Sequence, residues 1–339
     1  MKRIFLEQPK RLNSWEKGEI HRILSKIAKS PHPKSYTFVD SKDKADLIVI
    51  LESASFKCHS DLDYYRGMID QWSNDKMVLV INYEDAPPGS LPGAYSSLES
   101  FRFDPVLHIS WPHMKFPNEH IVEFNNHINS EHAFLFSFVG SSSHPIRCKL
   151  FDMYEDKSTN IFVKEIKKWY NHDISEKISY INVIKKSAFV LCPRGIASYS
   201  HRILEVLALG RVPVIIADDW VPFSIEEEDY YIRIPEKDIC RIEEILKEEL
   251  HRYRQLQFNS HEIYNKYFRD DIRHTIAFEK LVELSERIPI HVDRKFLFDR
   301  LRSNEFHRIN GWLIGQRFTR LLRRRWRQLQ GLRPFRASS

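Results

Sequence analysis

The segment Ser187–Phe223, SAFVLCPRGIASYSHRILEVLALGRVPVIIADDWVPF, constrains the fold of this chain more than any other. It parses as an apolar strand, a Pro-Arg-Gly turn, an amphipathic helix, a stop at Gly210 and a second apolar strand ending in Asp218-Asp219. A strand, a crossover helix and a second strand of this length close into a right-handed βαβ unit with parallel strands. Such sheets are covered on both faces, so their strands read as unbroken apolar runs, and their ligands gather beyond the carboxyl ends of the strands.

The same alternation recurs along the chain. Strands are expected at Arg3–Leu6, Asp46–Leu51, Met77–Asn82, Phe134–Val139, Ala188–Cys192 and Val212–Ala217. Helices are expected at Trp15–Lys29, Leu62–Trp72, Ile146–Tyr154, Tyr180–Lys186, Tyr199–Leu209, Arg241–Tyr253 and Asp271–Arg287. The chain therefore belongs to the α/β class. Its 339 residues allow two domains, and the polar run Asn125–His132 ahead of the strand at Phe134 puts the boundary near residue 130. Three parts are expected: 1–130, 131–290 and a basic amphipathic tail at 291–339. Ala86–Gly93, rich in Pro, Gly and Ser, reads as a surface loop.

The central helix sharpens the expectation. At about 100° per residue, Ile203, Leu204, Leu207 and Ala208 form one apolar face. Ser198, Arg202 and Glu205 form a stripe on the other side, which a merely solvated helix would also show. Here the stripe follows a glycine turn and a helix start whose free N–H groups suit an anion. Arginine supplies charge for phosphate oxygens, serine and backbone amides donate, and glutamate accepts from ribose hydroxyls. A nucleotide-diphosphate pocket is the chemistry that uses all three. Neither G-x-G-x-x-G nor G-x-x-x-x-G-K-[ST] occurs in this segment, so dinucleotide dehydrogenase and P-loop readings fail.

The runs LCPRG and SYSHRILEVLALGRVPVIIADDWVPF closely resemble the nucleotide-sugar-binding signature of the exostosin-like glycosyltransferases, family 47. ADLIVI (Ala45–Ile50), FSFVG (Phe136–Gly140) followed by Arg147, and IRIPEKDI (Ile232–Ile239) extend the likeness over residues 45–250. The resemblance implies a GT-B fold, with two Rossmann-like domains facing a cleft, and inverting transfer of a sugar from a nucleotide-diphosphate donor, UDP- or GDP-linked, to a glycan or glycolipid. It implies a donor pocket built from Gly140, Arg147, Arg194, Gly195, Ser198, Tyr199, Arg202 and Glu205, with Arg202 and Glu205 on the diphosphate and ribose. The alternative is a catalytically inactive protein that binds nucleotide sugars or a membrane surface.

Inverting transfer needs a general base for the acceptor hydroxyl. Glu84 and Asp85, just past the strand at Met77–Asn82, and His113 in a Trp-Pro-His loop are the candidates, with Glu52 a further competitor. Asp218-Asp219 lacks a third ligand at a telling spacing, so a divalent metal is not favoured. The four cysteines are scattered without a CxxC pair, which suits a reducing compartment.

Residues 291–339 hold thirteen Lys or Arg against three acids, so this stretch carries +10 and the remainder −4. From Gly311 to Arg336, eight arginines interleave with Trp312, Phe318, Trp326 and several leucines. This reads as an interfacial segment for an anionic membrane, with nucleic acid the less favoured polyanion and a solvated tail the bland alternative. No signal-like apolar core occurs in Met1–Lys10 and no bilayer-spanning run is present. A cytoplasmic protein, peripheral on the inner membrane face, is the expectation.

Overall fold

The computed structural model describes residues 1–7, 18–52, 67–73, 76–114, 118, 120–121, 132–155, 159–167, 173–227, 229–289 and 291–311. The basic segment from residue 312 onward lies outside them, as does the expected boundary near residue 130. Among the described residues no helix is long and apolar enough to cross a membrane.

Two wholly parallel sheets organise the described residues. The first contains β1 (Lys2–Glu7), β2 (Tyr36–Phe38), β3 (Leu47–Glu52), β4 (Met77–Asn82), β5 (Gly93–Tyr95) and β6 (His108–Ser110), in the order β2-β1-β3-β4-β5-β6. Helix α1 (Glu19–Lys29) joins β1 to β2. At its centre, LIVIL of β3 pairs with MVLVI of β4, in register from Leu47↔Met77 to Glu52↔Asn82. Val49, Val78, Leu79 and Val80 are fully buried, as expected of strands sandwiched between helices.

The second sheet runs β11-β10-β9-β7-β8. It is built from β7 (Phe134–Gly140), β8 (Ile161–Glu165), β9 (Ser187–Pro193), β10 (Val212–Ile216) and β11 (Ile232–Arg233). Between them lie α2 (Pro145–Tyr154), α3 (Ile174–Lys185) and α4 (Arg202–Ala208). Asp173 caps α3 in a capping box with Glu176, satisfying two orphan amides. The α/β class and the six principal strands stand where the sequence puts them, within a residue or so.

The chain then returns to the first sheet. After α5 (Ile242–Glu249) and α6 (Tyr253–Ile263), helix α7 (Arg273–Arg287) packs on β2, β5 and β6. Phe278 stacks edge-on to Phe38 at 5.2 Å, and the Tyr36 hydroxyl donates to Thr275 O at 3.3 Å. Helix α8 (Arg294–Arg302) follows, burying Leu297 and Leu301. Residues 273–287, grouped from sequence with the second domain, and 291–311, grouped with the tail, thus belong physically to the first sheet's surroundings. An amphipathic pattern announces that a helix packs, but not against which sheet.

Three further expectations are corrected. Pro87–Gly93 is buried rather than a surface loop. Gly93 enters β5 at φ +153°, where an added Cβ would sit 2.1 Å from Val80 O, and Asn310 covers the loop by donating to Pro88 O. The helix expected from Tyr199 begins only at Arg202, so Ser198–Ser200 form a buried loop. The stretch read as one helix over Arg241–Tyr253 is α5 bounded by 3₁₀ turns.

The sheets meet through loops at their carboxyl ends. Ser110 N donates to Ser224 Oγ at 2.9 Å and Ser110 Oγ to Val221 O at 3.0 Å. Ser100 N donates to Asp219 O at 2.9 Å, and Trp111 packs on Phe268 at 5.4 Å.

Candidate active site

The carboxyl ends of β7 and β9 bring two buried or half-buried guanidinium groups to one aromatic ring. Arg202, first residue of α4, lies 4.8 Å from the Phe138 centroid and donates from Nη2 to Val139 O. Arg147, on α2, lies 5.7 Å from the same ring. It donates from Nε to Arg194 O at 2.9 Å, from Nη2 to Pro193 O at 3.0 Å and from Nη1 to Ser141 O at 3.4 Å. Two glycines make room for them. A Cβ on Gly140 would sit 3.0 Å from Arg202 Nη2, and one on Gly195 would sit 3.1 Å from Arg147 Nη2.

Glu205, one turn along α4, is buried and accepts a 2.7 Å hydrogen bond from the Tyr180 hydroxyl of α3. Burial raises its carboxyl to about 7, opposed by the Tyr180 hydrogen bond and by the charge of Arg202. Burial, and then the like charge of Arg202, lowers Arg147 to about 9. Burial pushes the neighbouring Cys192 thiol up to about 12.

The charge balance of this pocket is its principal feature. Among the described residues neither arginine makes an ion pair with a carboxylate within 4 Å; both are anchored on backbone carbonyls. Arg202 Nε is buried without a hydrogen-bond partner. Desolvated cations need compensation, and the carboxylate beside them among the described residues, Glu205, is itself drawn toward its neutral form. Such a pocket is chemically fitted to an anion with several oxygens. The charge comes from side chains; α4 has only seven residues and starts too late for its amides to play the part expected of a helix beginning at Tyr199.

The remaining donor-pocket candidates are placed differently. Arg194 bridges the two halves, reaching Glu99 and Asp219 at 3.3 Å and Glu236 at 3.9 Å. Ser198 is not on the helix, and its Oγ donates across the junction to Ser97 O at 3.4 Å. Tyr199 is buried, with its ring edge-on to His201 at 5.3 Å. The structure therefore gathers Gly140, Arg147, Gly195, Arg202 and Glu205, while Arg194 and Ser198 join loops of the two sheets.

Opposite, the ends of β4 and β6 supply the base candidates. His113 lies half-buried against Tyr83, ring centroids 4.3 Å apart, and meets His201 edge-on at 4.9 Å. His201 comes from the second half, immediately before Arg202. It is open to solvent yet hemmed in by protein, which lowers its imidazole to about 4 and keeps it neutral. Glu84 is buried at 3% exposure, its backbone N–H donating to Asn82 Oδ1 at 2.9 Å, whereas Asp85 is exposed. The side chain of Glu52 lies outside the described residues. Sequence reasoning overlooked His201, although it adjoins Arg202, and Tyr180, whose link to Glu205 spans twenty-five positions and leaves no local signal.

Asp218 and Asp219 are occupied with the protein itself. Asp219 pairs with Arg194, while Asp218 N donates to Glu236 Oε1 at 3.2 Å and Asp218 Oδ1 accepts from Glu236 N at 2.9 Å. Among the described residues no group of three or more His, Cys, Asp or Glu is placed to hold a metal ion.

Known proteins resemble this chain in sequence and, more distantly, in structure. The Exostosin GT47 domain matches residues 57–248. An "Exostosin-1 homolog" of Caenorhabditis elegans is 34% identical over 103 residues, 29% of this chain and 27% of that protein. A "Probable beta-1,4-xylosyltransferase IRX10L" of Arabidopsis thaliana is 41% identical over 71 residues, 20% of this chain and 17% of that protein. The matched stretches thus span about a quarter or less of these relatives. Among solved structures, a glycosyltransferase from Rickettsia africae covers 85% of this chain and 98% of its own at TM-score 0.41 and 10% identity. An alpha1,3-fucosyltransferase with GDP-fucose covers 85% and 90% at TM-score 0.41 and 12% identity. The domain match takes in more than half of the residues, and by it the chain belongs to the exostosin GT47 family of glycosyltransferase domains.

Proposed function

We propose that the protein is an inverting glycosyltransferase that moves a sugar from a nucleotide-diphosphate donor, UDP- or GDP-linked, to a glycan or glycolipid acceptor. The observation that carries this reading is the pair of guanidinium groups about Phe138, neither in an ion pair with a carboxylate within 4 Å among the described residues, set beside Glu205 at the carboxyl ends of β7 and β9. Arg202 and Arg147 take the diphosphate and neutralise the charge that develops on it as the sugar leaves. Glu205 accepts from the ribose. Gly140 and Gly195 are the clearances that let the arginines approach.

On the acceptor side, His113 is favoured over Glu84 and Asp85 as the general base. It stands at the junction facing His201, while Glu84 is buried and Asp85 exposed. As general base, the His113 imidazole takes the acceptor proton as its oxygen attacks the anomeric carbon from the face opposite the diphosphate. Removing it should lower kcat by about 10²- to 10⁴-fold.

The family relatives include proteins titled as glucuronosyl- and xylosyltransferases, and one structural neighbour holds GDP-fucose. UDP-glucuronate, UDP-xylose and GDP-fucose are therefore the first donors to test. Release of sugar from one of them, lost in an Arg202→Gln variant, supports the reading; binding without turnover would favour the inactive nucleotide-sugar-binding alternative. The basic segment 311–339 is proposed to hold the enzyme on an anionic membrane surface facing the cytoplasm, at on the order of 1 kcal/mol per basic residue near the surface. Co-sedimentation with anionic vesicles, compared with a chain ending at residue 310, tests this part separately.

A further inference from the structure

We infer that Tyr180 is a positioning residue for the donor: its hydroxyl holds one oxygen of Glu205 and leaves the other to accept from the ribose hydroxyls, so that this contact selects ribonucleotide donors. The inference rests on the donor-site reading above. Its geometry is simple. The Tyr180 hydroxyl donates to Glu205 Oε2 at 2.7 Å, from a different helix, and no second hydrogen bond to that carboxylate is present among the described residues. A carboxylate tethered at one oxygen by a neutral donor is restrained in orientation and keeps its second oxygen as an acceptor.

The electrostatic surroundings fit that role. Burial keeps the Tyr180 phenol well above its usual range, so it retains its proton and remains a donor. The groups facing Glu205 are Tyr180 from α3, Cys192 from β9, and Arg202 and Tyr199 from its own segment. Arg147 from α2 acts through its neighbour Arg202. Of these, only Glu205 changes charge near neutrality. Donor affinity should accordingly weaken as pH falls through about 7, where the carboxylate gains a proton. Since the Tyr180 hydrogen bond favours the ionised form, its removal moves that limb to higher pH.

The test is calorimetric titration of UDP-glucuronate, UDP-xylose and GDP-fucose, whose phosphates do not titrate in this range, into wild type, Tyr180→Phe and Glu205→Gln from pH 5.5 to 8.5. The matching 2′-deoxyribonucleotide sugars are run beside them, and thermal melting confirms the fold. Tyr180→Phe should weaken binding by about 3- to 10-fold at pH 8, shift the acid limb upward and narrow the preference for ribose over deoxyribose. Wild-type affinity, or weakened binding with an unmoved limb and an unchanged ribose preference, overturns the inference. Glu205→Gln separates the two levels. If it weakens binding while Tyr180→Phe does not, only the role of Tyr180 falls; if neither variant differs from wild type, or no donor binds at all, the donor-site reading falls with it.

Discussion

At the scale of single residues, the pocket combines groups whose ordinary behaviour is altered by their neighbours. Glu205 shows this most clearly. Its folded carboxyl titrates at about 7 against an ordinary 4.5, so its contribution to stability is full below about 4.5 and is lost as pH rises through 7. Glu205→Gln keeps an acceptor for Tyr180 and removes the charge. The variant should match wild type in thermal melting near pH 4.5 and exceed it at pH 8, by on the order of 1–3 kcal/mol, even as donor binding declines. Gly140→Ala is expected to act on binding alone: a Cβ 3.0 Å from Arg202 Nη2 displaces the guanidinium, raising donor KM by about tenfold with the melting temperature little changed, as steady-state kinetics and a melt would read. Arg202 and Glu205 were legible in the sequence because their types and spacing match one chemistry, and Gly140 and Arg147 only through the family resemblance. Tyr180 and His201 were not, since the first acts over a long-range contact and the second resembles any loop histidine.

Elements were legible in proportion to their length and burial. The apolar runs of β3, β4, β7, β9 and β10 are long and β-branched enough to mark buried strands and too short for helices, and the structure places them with small end effects. Strands of two or three residues, such as GAY of β5, HIS of β6 and IR of β11, carry no periodicity and exist because a neighbour offers its ladder. Helix α4 starts late: Ser198 is taken by a hydrogen bond across the junction to Ser97 O, and Tyr199 packs edge-on to His201 of its own segment. Backbone clearance sets the tightest constraint at this scale. Gly93→Ala would drive a Cβ into Val80 O from a φ of +153°, and should cost about 3 kcal/mol or more in chemical denaturation, or prevent folding. A Gly93→Ala protein of unchanged stability would contradict the packing of β5 between β4 and β6.

For the whole molecule, the decisive feature is that loops from both sheets converge at one junction. Arg194 with Glu99, Ser198 with Ser97 and Ser110 with Ser224 hold the halves together where Arg202 and His113 come near each other through His201. Helix α7 returns to pack on the first sheet, which was not legible from amphipathicity alone. If His113 is the acceptor's base as proposed, His113→Asn should lower kcat while leaving donor KM nearly unchanged; a variant with altered donor binding and intact kcat would reverse that division of labour. The central claim, that the arginines about Phe138 hold the donor's diphosphate, is tested most directly by titrating UDP- and GDP-sugars into wild type and Arg202→Gln in a calorimeter. The account predicts that at least one nucleotide sugar binds wild type and that the variant binds it at least tenfold more weakly; equal affinity in both proteins would contradict it.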